Sequence, residues 1–193
     1  RLSCKAILIV ADGMADRPIK ELGWKTPLEV AHKPNLDRIA ENGVCGIMDP
    51  IAPGIPPGSD TATLAMLGYD PWKVYSGRGA LEAVGSGVEV LPGDVAFRCN
   101  FATVDDNLVV LDRRAGRIVN KDAAKLAVSL QKIRLPATLN ISFRFKNTIQ
   151  HRAILVLHGP RLSSAISDTD PETTKGAVLE AKPFDRSFEA ERT

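Results

Sequence analysis

The sequence predicts an α/β protein in which part of a parallel-sheet core is followed by a separate α+β unit. A continuous apolar run at residues 5–11 is rich in β-branched side chains, which is typical of a strand buried on both faces of a parallel sheet. A loop and a helical pattern follow it. Beyond about residue 75 the pattern changes to short alternating strands, which indicates an attached α+β unit.

In the first unit, the apolar run ends at Asp12 and a loop leads to a predicted helix at residues 34–41. Proline opens that helix, apolar residues recur on one face, and Gly43 follows as a stop signal. Residues 49–59 contain four prolines and two glycines, and we expect a shaped loop there.

A second helix is predicted directly after this loop. Ser59 or Asp60 can serve as its N-cap, and Gly68 ends it.

The second unit is predicted to contain three strands and one longer helix. The strand at residues 95–101 places Arg98 and Asn100 together on one face. A helix at residues 120–133, with Asn120 as its cap, precedes strands at 141–146 and 152–157. The final residues, 188–193, have a helical pattern without a stop signal, so we expect a further segment to follow.

Composition excludes several classes of function. The net charge of +2 lacks the concentrated basic surplus of a nucleic-acid-binding protein, and no apolar run approaches the ~20 residues of a membrane span. We therefore predict a cytoplasmic protein that binds neither nucleic acid nor membrane. Three widely spaced cysteines predict neither a disulfide framework nor a thiolate metal site.

Two residues at the predicted ends of elements could carry chemistry. Asp12 follows the buried strand, where ligands collect in open α/β sheets, and a carboxylate there suits a divalent cation; a simple Asp-Gly turn is the alternative. Ser59 opens a helix among unpaired N–H groups that favour a phosphoryl group, and a bound metal could activate its hydroxyl. The alternative for Ser59 is an N-cap without chemistry.

Arginines near predicted strand ends form a third group of candidates. Guanidinium groups match phosphate and carboxylate in bidentate geometry, although each arginine can equally be an ordinary surface side chain. These candidates are Arg98, Arg113, Arg114, Arg117 and Arg152.

A series of motifs, including PGSD at residues 57–60 and DRRAGRI at 112–118, resembles the archaeal-type cofactor-independent phosphoglycerate mutases of the alkaline phosphatase superfamily. The other matching segments are residues 11–18, 25–29, 33–38, 67–71, 75–79, 81–85, 94–103, 151–152 and 167–171. They follow the order of that family and extend over nearly the whole chain. Only the stretch from about 132 to 150 is unmatched.

The resemblance implies roles for particular residues. Asp12 is similar to the family's first metal-ligand aspartate, and Ser59 to its phosphorylated nucleophile, which also contacts metal. By the same resemblance, plausible contacts to the phosphate and carboxylate of the substrate are Arg98, Asn100, Arg113, Arg114, Arg152 and Asp170.

The resemblance also implies a domain organisation. Residues 1–76 resemble the N-terminal part of an alkaline-phosphatase-like core, residues 77–181 an inserted cap domain, and residues 182–193 the return towards the core. The family's chains are about twice this long, so we expect a C-terminal half to supply the remaining metal ligands.

The expected function is interconversion of 3-phosphoglycerate and 2-phosphoglycerate in glycolysis and gluconeogenesis. Two divalent ions are expected, magnesium or manganese on oxygen-ligand chemistry, with zinc or cobalt as alternatives. Another metal-dependent phosphomutase or phosphatase of the superfamily is an alternative function, and so is a non-catalytic half that binds anionic metabolites or a partner chain. Whether the protein is a homo-oligomer is left open by the sequence.

Overall fold

The structure, a computed structural model, describes residues 5–11 and 13–193, so the metal ligand predicted at Asp12 lies outside the described residues. The chain divides into two compact units, of which the first ends at Pro53 and the second spans Gly54–Thr193. The domain boundaries derived from the resemblance stay a prediction.

The described residues of the first unit form a short 3-10 helix (Lys20–Leu22) and two α-helices. Helix α1 (Pro27–Val30) starts with a capping box, in which Thr26 and Glu29 each accept a hydrogen bond from the other's backbone N–H. Helix α2 (Pro34–Asn42) begins at its proline and is followed by Gly43 as C-cap, which confirms the predicted helix.

The structure differs from the prediction at residues 5–11, where no strand is formed. Ile7 and Ile9 are 87% and 83% exposed. A strand satisfies its backbone N–H and C=O groups only by pairing with a neighbour, and no strand is present among the described residues of the first unit. The prediction of a buried parallel strand is therefore wrong for the described structure, because the pattern specifies a strand but not its partners.

The second unit combines helices and antiparallel strands, so the predicted mixed α/β class and its α+β part are confirmed. Its helices are α3 (Ser59–Met66), α4 (Pro71–Val74), α5 (Arg78–Gly85), α6 (Asn120–Leu130) and α7 (Phe188–Arg192). Its strands are β1 (Val95–Asn100), β2 (Thr103–Val104), β3 (Val110–Asp112), β4 (Ser142–Asn147) and β5 (Arg152–His158).

Strand β5 lies at the centre of a three-stranded antiparallel sheet with the order β1-β5-β4. Its alternate residues face opposite sides, and both sides are covered. On one side, Ile154 and Val156 pack with Ala83 of α5. On the other, Ala153 packs with Ala127 of α6 and Phe145 of β4. The three predicted strands are confirmed, and their sheet is held between one helix on each face.

Strands β2 and β3 form a separate two-stranded ribbon. The carboxylate of Asp105 holds its turn by accepting hydrogen bonds from the backbone N–H groups of Asn107 and Val109. The backbone of Val110 also bonds to Lys175 and Gly176, which joins a late segment of the chain to the ribbon. No helix within residues 5–11 and 13–193 is both long and apolar enough to cross a membrane.

Candidate active site

Ser59 is the first residue of α3 and is exposed. The N-cap is Gly58, without a side-chain hydrogen bond, so the predicted capping role of Ser59 or Asp60 is wrong. A glycine takes the cap position because its extended backbone sets the turn into the helix and needs no side chain to do so. Ser59 therefore occupies the first helical position, in the turn whose backbone N–H groups lack helical partners, without serving as the cap.

The next residue, Asp60, is held by two side chains from further along the chain. Its carboxylate accepts hydrogen bonds from Nε and Nη2 of Arg78, at 3.1 and 3.4 Å, and from the hydroxyl of Tyr75. The Arg78 guanidinium, with help from Tyr75, holds the pKa of Asp60 well below its usual range against the opposing effect of burial. Burial and the neighbouring carboxylate raise the pKa of Tyr75. The start of α3 is thus fastened to the start of α5.

Arg98 lies on β1 and faces α5, where Glu82 is its partner. Nε of Arg98 is 3.2 Å from Oε1 of Glu82, and the two side chains are 25% and 29% exposed. Asn100 is the register partner of Arg152 on β5. Arg98 and Asn100 share one face of the sheet, as the alternation predicted, and the pairing places Arg152 on the same face.

His151 is surrounded by three of the predicted arginines. Burial lowers its pKa, and the positive charges of Arg152, Arg114 and Arg98 lower it further, while Asp112 acts in the opposite direction. Its Nδ1 atom is buried and has no hydrogen-bond partner among the described residues. Burial and the nearby guanidinium groups both disfavour a charged imidazole, so the arrangement is a positively charged cluster beside a histidine whose pKa is lowered.

The members of the arginine cluster come from separate parts of the fold. We define this cluster as Arg98, Arg114, Arg152 and His151. Arg98 comes from β1, His151 and Arg152 from the start of β5, and Arg114 from the turn after β3. The carboxylate of Asp112 fixes that turn by accepting hydrogen bonds from the backbone N–H groups of Arg114 and Gly116, at 2.7 and 2.8 Å. An anion with two acidic groups, such as a phosphorylated carboxylate, matches this charge.

Arg113 is engaged elsewhere. Its Nε and Nη2 donate to the two carboxylate oxygens of Asp170, at 3.2 and 2.8 Å, and its Nη1 donates to the carbonyl of Glu172 at 2.9 Å. Arg113 and Asp170 are both predicted substrate contacts, and the structure brings them to each other. Their roles toward a substrate stay a prediction.

The described residues do not form a metal site by themselves. Among residues 5–11 and 13–193, no group of three or more His, Cys, Asp or Glu side chains is placed to hold a metal ion. Of the two predicted ligands, only Ser59 belongs to the described part of the chain.

Sequence reasoning missed Glu82, Tyr75, Arg78 and His151 as members of the site. The sequence offered one signal for three of them: Tyr75, Arg78 and Glu82 lie within segments that match the family, which could have marked them as site residues. His151 also lies within a segment of that resemblance, residues 151–152.

Comparisons with known proteins identify the family. A family model described as 2,3-bisphosphoglycerate-independent phosphoglycerate mutase matches residues 40–193. The chain is 52% identical over 189 residues to the 2,3-bisphosphoglycerate-independent phosphoglycerate mutase of Methanobrevibacter smithii, covering 98% of this chain and 46% of the relative. It is also 52% identical over 198 residues to the protein of that name from Methanopyrus kandleri, covering 100% of this chain and 46% of the relative.

A solved structure gives the same result. The cofactor-independent phosphoglycerate mutase from Thermoplasma acidophilum superimposes with a TM-score of 0.55 and 44% identity, covering 90% of this chain and 44% of that chain. The chain spans about half the length of the curated relatives it matches. The resemblance predicted from the motifs is confirmed, and this chain belongs to the 2,3-bisphosphoglycerate-independent phosphoglycerate mutase family.

Proposed function

We propose that the intact protein is a cytoplasmic phosphoglycerate mutase that interconverts 3-phosphoglycerate and 2-phosphoglycerate through a phosphoserine at Ser59. The observation that carries the proposal is the position of Ser59, exposed at the first residue of α3 and free of a capping role. Family membership and the arginine cluster support it.

Ser59 acts as the nucleophile in this proposal. Its Oγ forms a bond to phosphorus as the bond between phosphorus and the glycerate oxygen breaks, and the hydroxyl proton passes to the departing oxygen. Transfer back to the other glycerate hydroxyl gives the isomer and returns the proton. The first-turn N–H groups of α3 favour the negative charge of the phosphoryl group at this position.

The arginine cluster holds the anionic groups of the substrate. Arg98, Arg114 and Arg152 supply positive charge, and the imidazole of His151, whose pKa burial and these arginines lower, adds hydrogen-bonding capacity. Asn100, beside Arg152, is placed to meet the glycerate portion. Residues 77–181 form the cap domain of the proposal, and residues 1–76 and 182–193 belong to the core. Closure of the cap keeps water from hydrolysing the phosphoserine.

Two divalent ions, magnesium or manganese, are part of the proposal, with Asp12 and Ser59 among their ligands. The described residues do not complete such a site, so the other ligands come from a C-terminal half. When bound, the ions neutralise phosphoryl charge and lower the pKa of a coordinated hydroxyl.

An exposed apolar surface in the first unit also supports a second half. Ile7 and Ile9 of the unpaired run, together with Val44 and Ile47, are each more than 80% exposed. Burial of exposed apolar side chains such as these is favourable, so they are suited to being covered by another part of the protein. In the proposal, strands from the C-terminal half pair with residues 5–11 and complete the sheet.

Replacing Ser59 by alanine in the full-length protein tests the proposal. We expect Ser59→Ala to abolish isomerisation of 3-phosphoglycerate, because the substitution removes the oxygen that accepts the phosphoryl group in this proposal. Ser129→Ala is the matched control, since Ser129 is an exposed helical serine on α6, and it is expected to retain full activity. If Ser59→Ala isomerises 3-phosphoglycerate at the full rate, the assignment of Ser59 as the nucleophile is contradicted. If the unmodified protein releases inorganic phosphate and forms no isomer, the protein is a phosphatase instead.

A further inference from the structure

We propose that Asp60, Arg78, Glu82 and Arg98 form a chain of two ion pairs along α5 that positions Ser59 relative to the arginine cluster. In this inference, which rests on the proposed function, Arg78 and Glu82 are positioning residues. Neither needs to touch the substrate.

The first ion pair joins the start of α3 to the start of α5. Asp60 directly follows Ser59, and its carboxylate is 11% exposed, which makes the pair with Arg78 more than an ordinary surface ion pair. Arg78 donates two hydrogen bonds to it, and the Tyr75 hydroxyl donates a third. Three donors from the α4–α5 region therefore restrict both the position and the rotation of the first turn of α3.

Helix α5 carries the connection to the sheet. Arg78 and Glu82 are four residues apart, so they lie one above the other on the same face of the helix. Between them, Gly79 is in close contact with β1, since a Cβ added at Gly79 would lie 2.0 Å from the backbone oxygen of Ala96. The helix therefore lies directly against the strand, and its ends have little freedom to move.

The second ion pair joins Glu82 of α5 to Arg98, which is a proposed substrate contact. Glu82 lies 3.2 Å from Nε of Arg98, two residues after Ala96 on β1. Both partners are about three-quarters buried. Glu82 therefore restrains Arg98 by charge attraction, without the directed hydrogen bonds that Arg78 donates to the carboxylate beside Ser59.

The arrangement matters because phosphoryl transfer requires the attacking oxygen and phosphorus to be aligned. A misplacement of about 1 Å can reduce the rate about a hundredfold. Arg78 also balances the charge of Asp60, which would otherwise repel the phosphoserine that forms on the adjacent residue. Both effects act on the transfer step and leave the binding of substrate largely unchanged.

The test compares Arg78→Gln with Arg144→Gln in the full-length protein. Arg144 forms an ion pair with Glu89 at 3.0 Å, but both side chains are more than 60% exposed and neither belongs to the proposed site. We expect Arg78→Gln to lower kcat at least about tenfold with KM for 3-phosphoglycerate changed less than about twofold. Arg144→Gln is expected to match the unmodified protein, and Arg78→Lys, which keeps the charge, to recover part of the lost kcat.

The outcomes separate this inference from the proposed function. A kcat for Arg78→Gln within about twofold of the unmodified protein, with Ser59→Ala inactive, overturns the positioning role and leaves the function in place. Full activity of Ser59→Ala overturns both. Should Arg78→Gln fail to fold, Tyr75→Phe gives the same readout, because it removes only the hydroxyl that donates to Asp60. For Tyr75→Phe, a lowered kcat at constant KM supports the inference. An unchanged kcat overturns it.

Discussion

At the scale of single residues, four of the arginines predicted as anion contacts divide into two groups by what lies near them. Arg113 is fully engaged with Asp170 and the Glu172 carbonyl. Arg98, Arg114 and Arg152 instead converge on His151, whose pKa they lower. Glu82 lies beside Arg98 and Asp112 acts on His151 in the opposite direction, so three guanidinium groups face two nearby carboxylates, and the surplus positive charge favours binding of an anion.

Gly79 is the residue at which a side chain is least compatible with the fold. A Cβ there would meet the backbone oxygen of Ala96 at 2.0 Å, and backbone atoms cannot move aside as a flexible side chain can. We expect Gly79→Ala to lower the free energy of unfolding by about 1–3 kcal/mol.

The control for Gly79 is Gly85 in the same helix, where an added Cβ meets nothing within 4 Å. Gly85→Ala is expected to stabilise the protein by up to about 1 kcal/mol, because alanine restricts the unfolded chain more than glycine does. Urea unfolding of both variants measures the difference. Equal effects of the two substitutions would show that α5 does not lie against β1 as described.

Which residues are paired could not be predicted from the sequence, because the partners are far apart along the chain. Arg113 and Asp170 are separated by 57 residues. The sequence therefore identified suitable side chains for anion binding, but it could not separate Arg113 from the cluster. The cap of α3 was misjudged for a different reason: a serine before an acidic residue fits the N-cap pattern, and the preceding glycine carries no comparable signal.

At the scale of elements, the ion pair between Arg113 and Asp170 fastens the segment after residue 167 to the end of β3. The two hydrogen bonds from Arg113 hold the pKa of Asp170 below its ordinary value of 3.8. A carboxyl group with a lowered folded-state pKa contributes stability above its unfolded pKa, and the contribution is lost as the pH falls through the folded-state pKa.

We therefore expect Asp170→Asn to lower the free energy of unfolding at neutral pH. The difference from the unmodified protein should shrink as the pH falls from about 5 to about 2. Asp122→Asn is the control, because Asp122 pairs with Lys125 on the exposed surface of α6, and its effect should stay below about 0.5 kcal/mol. Denaturant unfolding across this pH range is the measurement, and a pH-independent difference for Asp170→Asn would argue against the pair.

Elements with strong periodicity were predicted correctly. The structure retains three local patterns of the sequence. They are the alternation in β1 and β4, the apolar run of β5, and the helical spacing of α2, α3 and α6. Helix α5 was not predicted, since residues 78–85 contain two glycines and only two turns. Asn120 does not cap α6; its side chain instead accepts a hydrogen bond from the backbone N–H of Gln150, a contact that depends on the fold.

At the scale of the whole molecule, the two units differ in how much they bury. In the second unit the sheet is covered on both faces, and Ala153 and Ile154 are fully buried. Among the described residues of the first unit, the apolar run at residues 5–11 has no partner strand, although its sequence is that of a buried strand. This contrast agrees with a chain that spans about half the length of its relatives. A sequence pattern can specify such a strand, but pairing requires the rest of the sheet.

The most direct test of the central claim is mass analysis of the peptide that contains Ser59 after the full-length protein is mixed with 3-phosphoglycerate and quenched in acid. We predict that this peptide gains the mass of one phosphoryl group, that fragmentation places the group on Ser59, and that it is absent when substrate is omitted. Turnover to 2-phosphoglycerate with the peptide unmodified at every quench time, or with the phosphoryl group on another residue, would contradict the account.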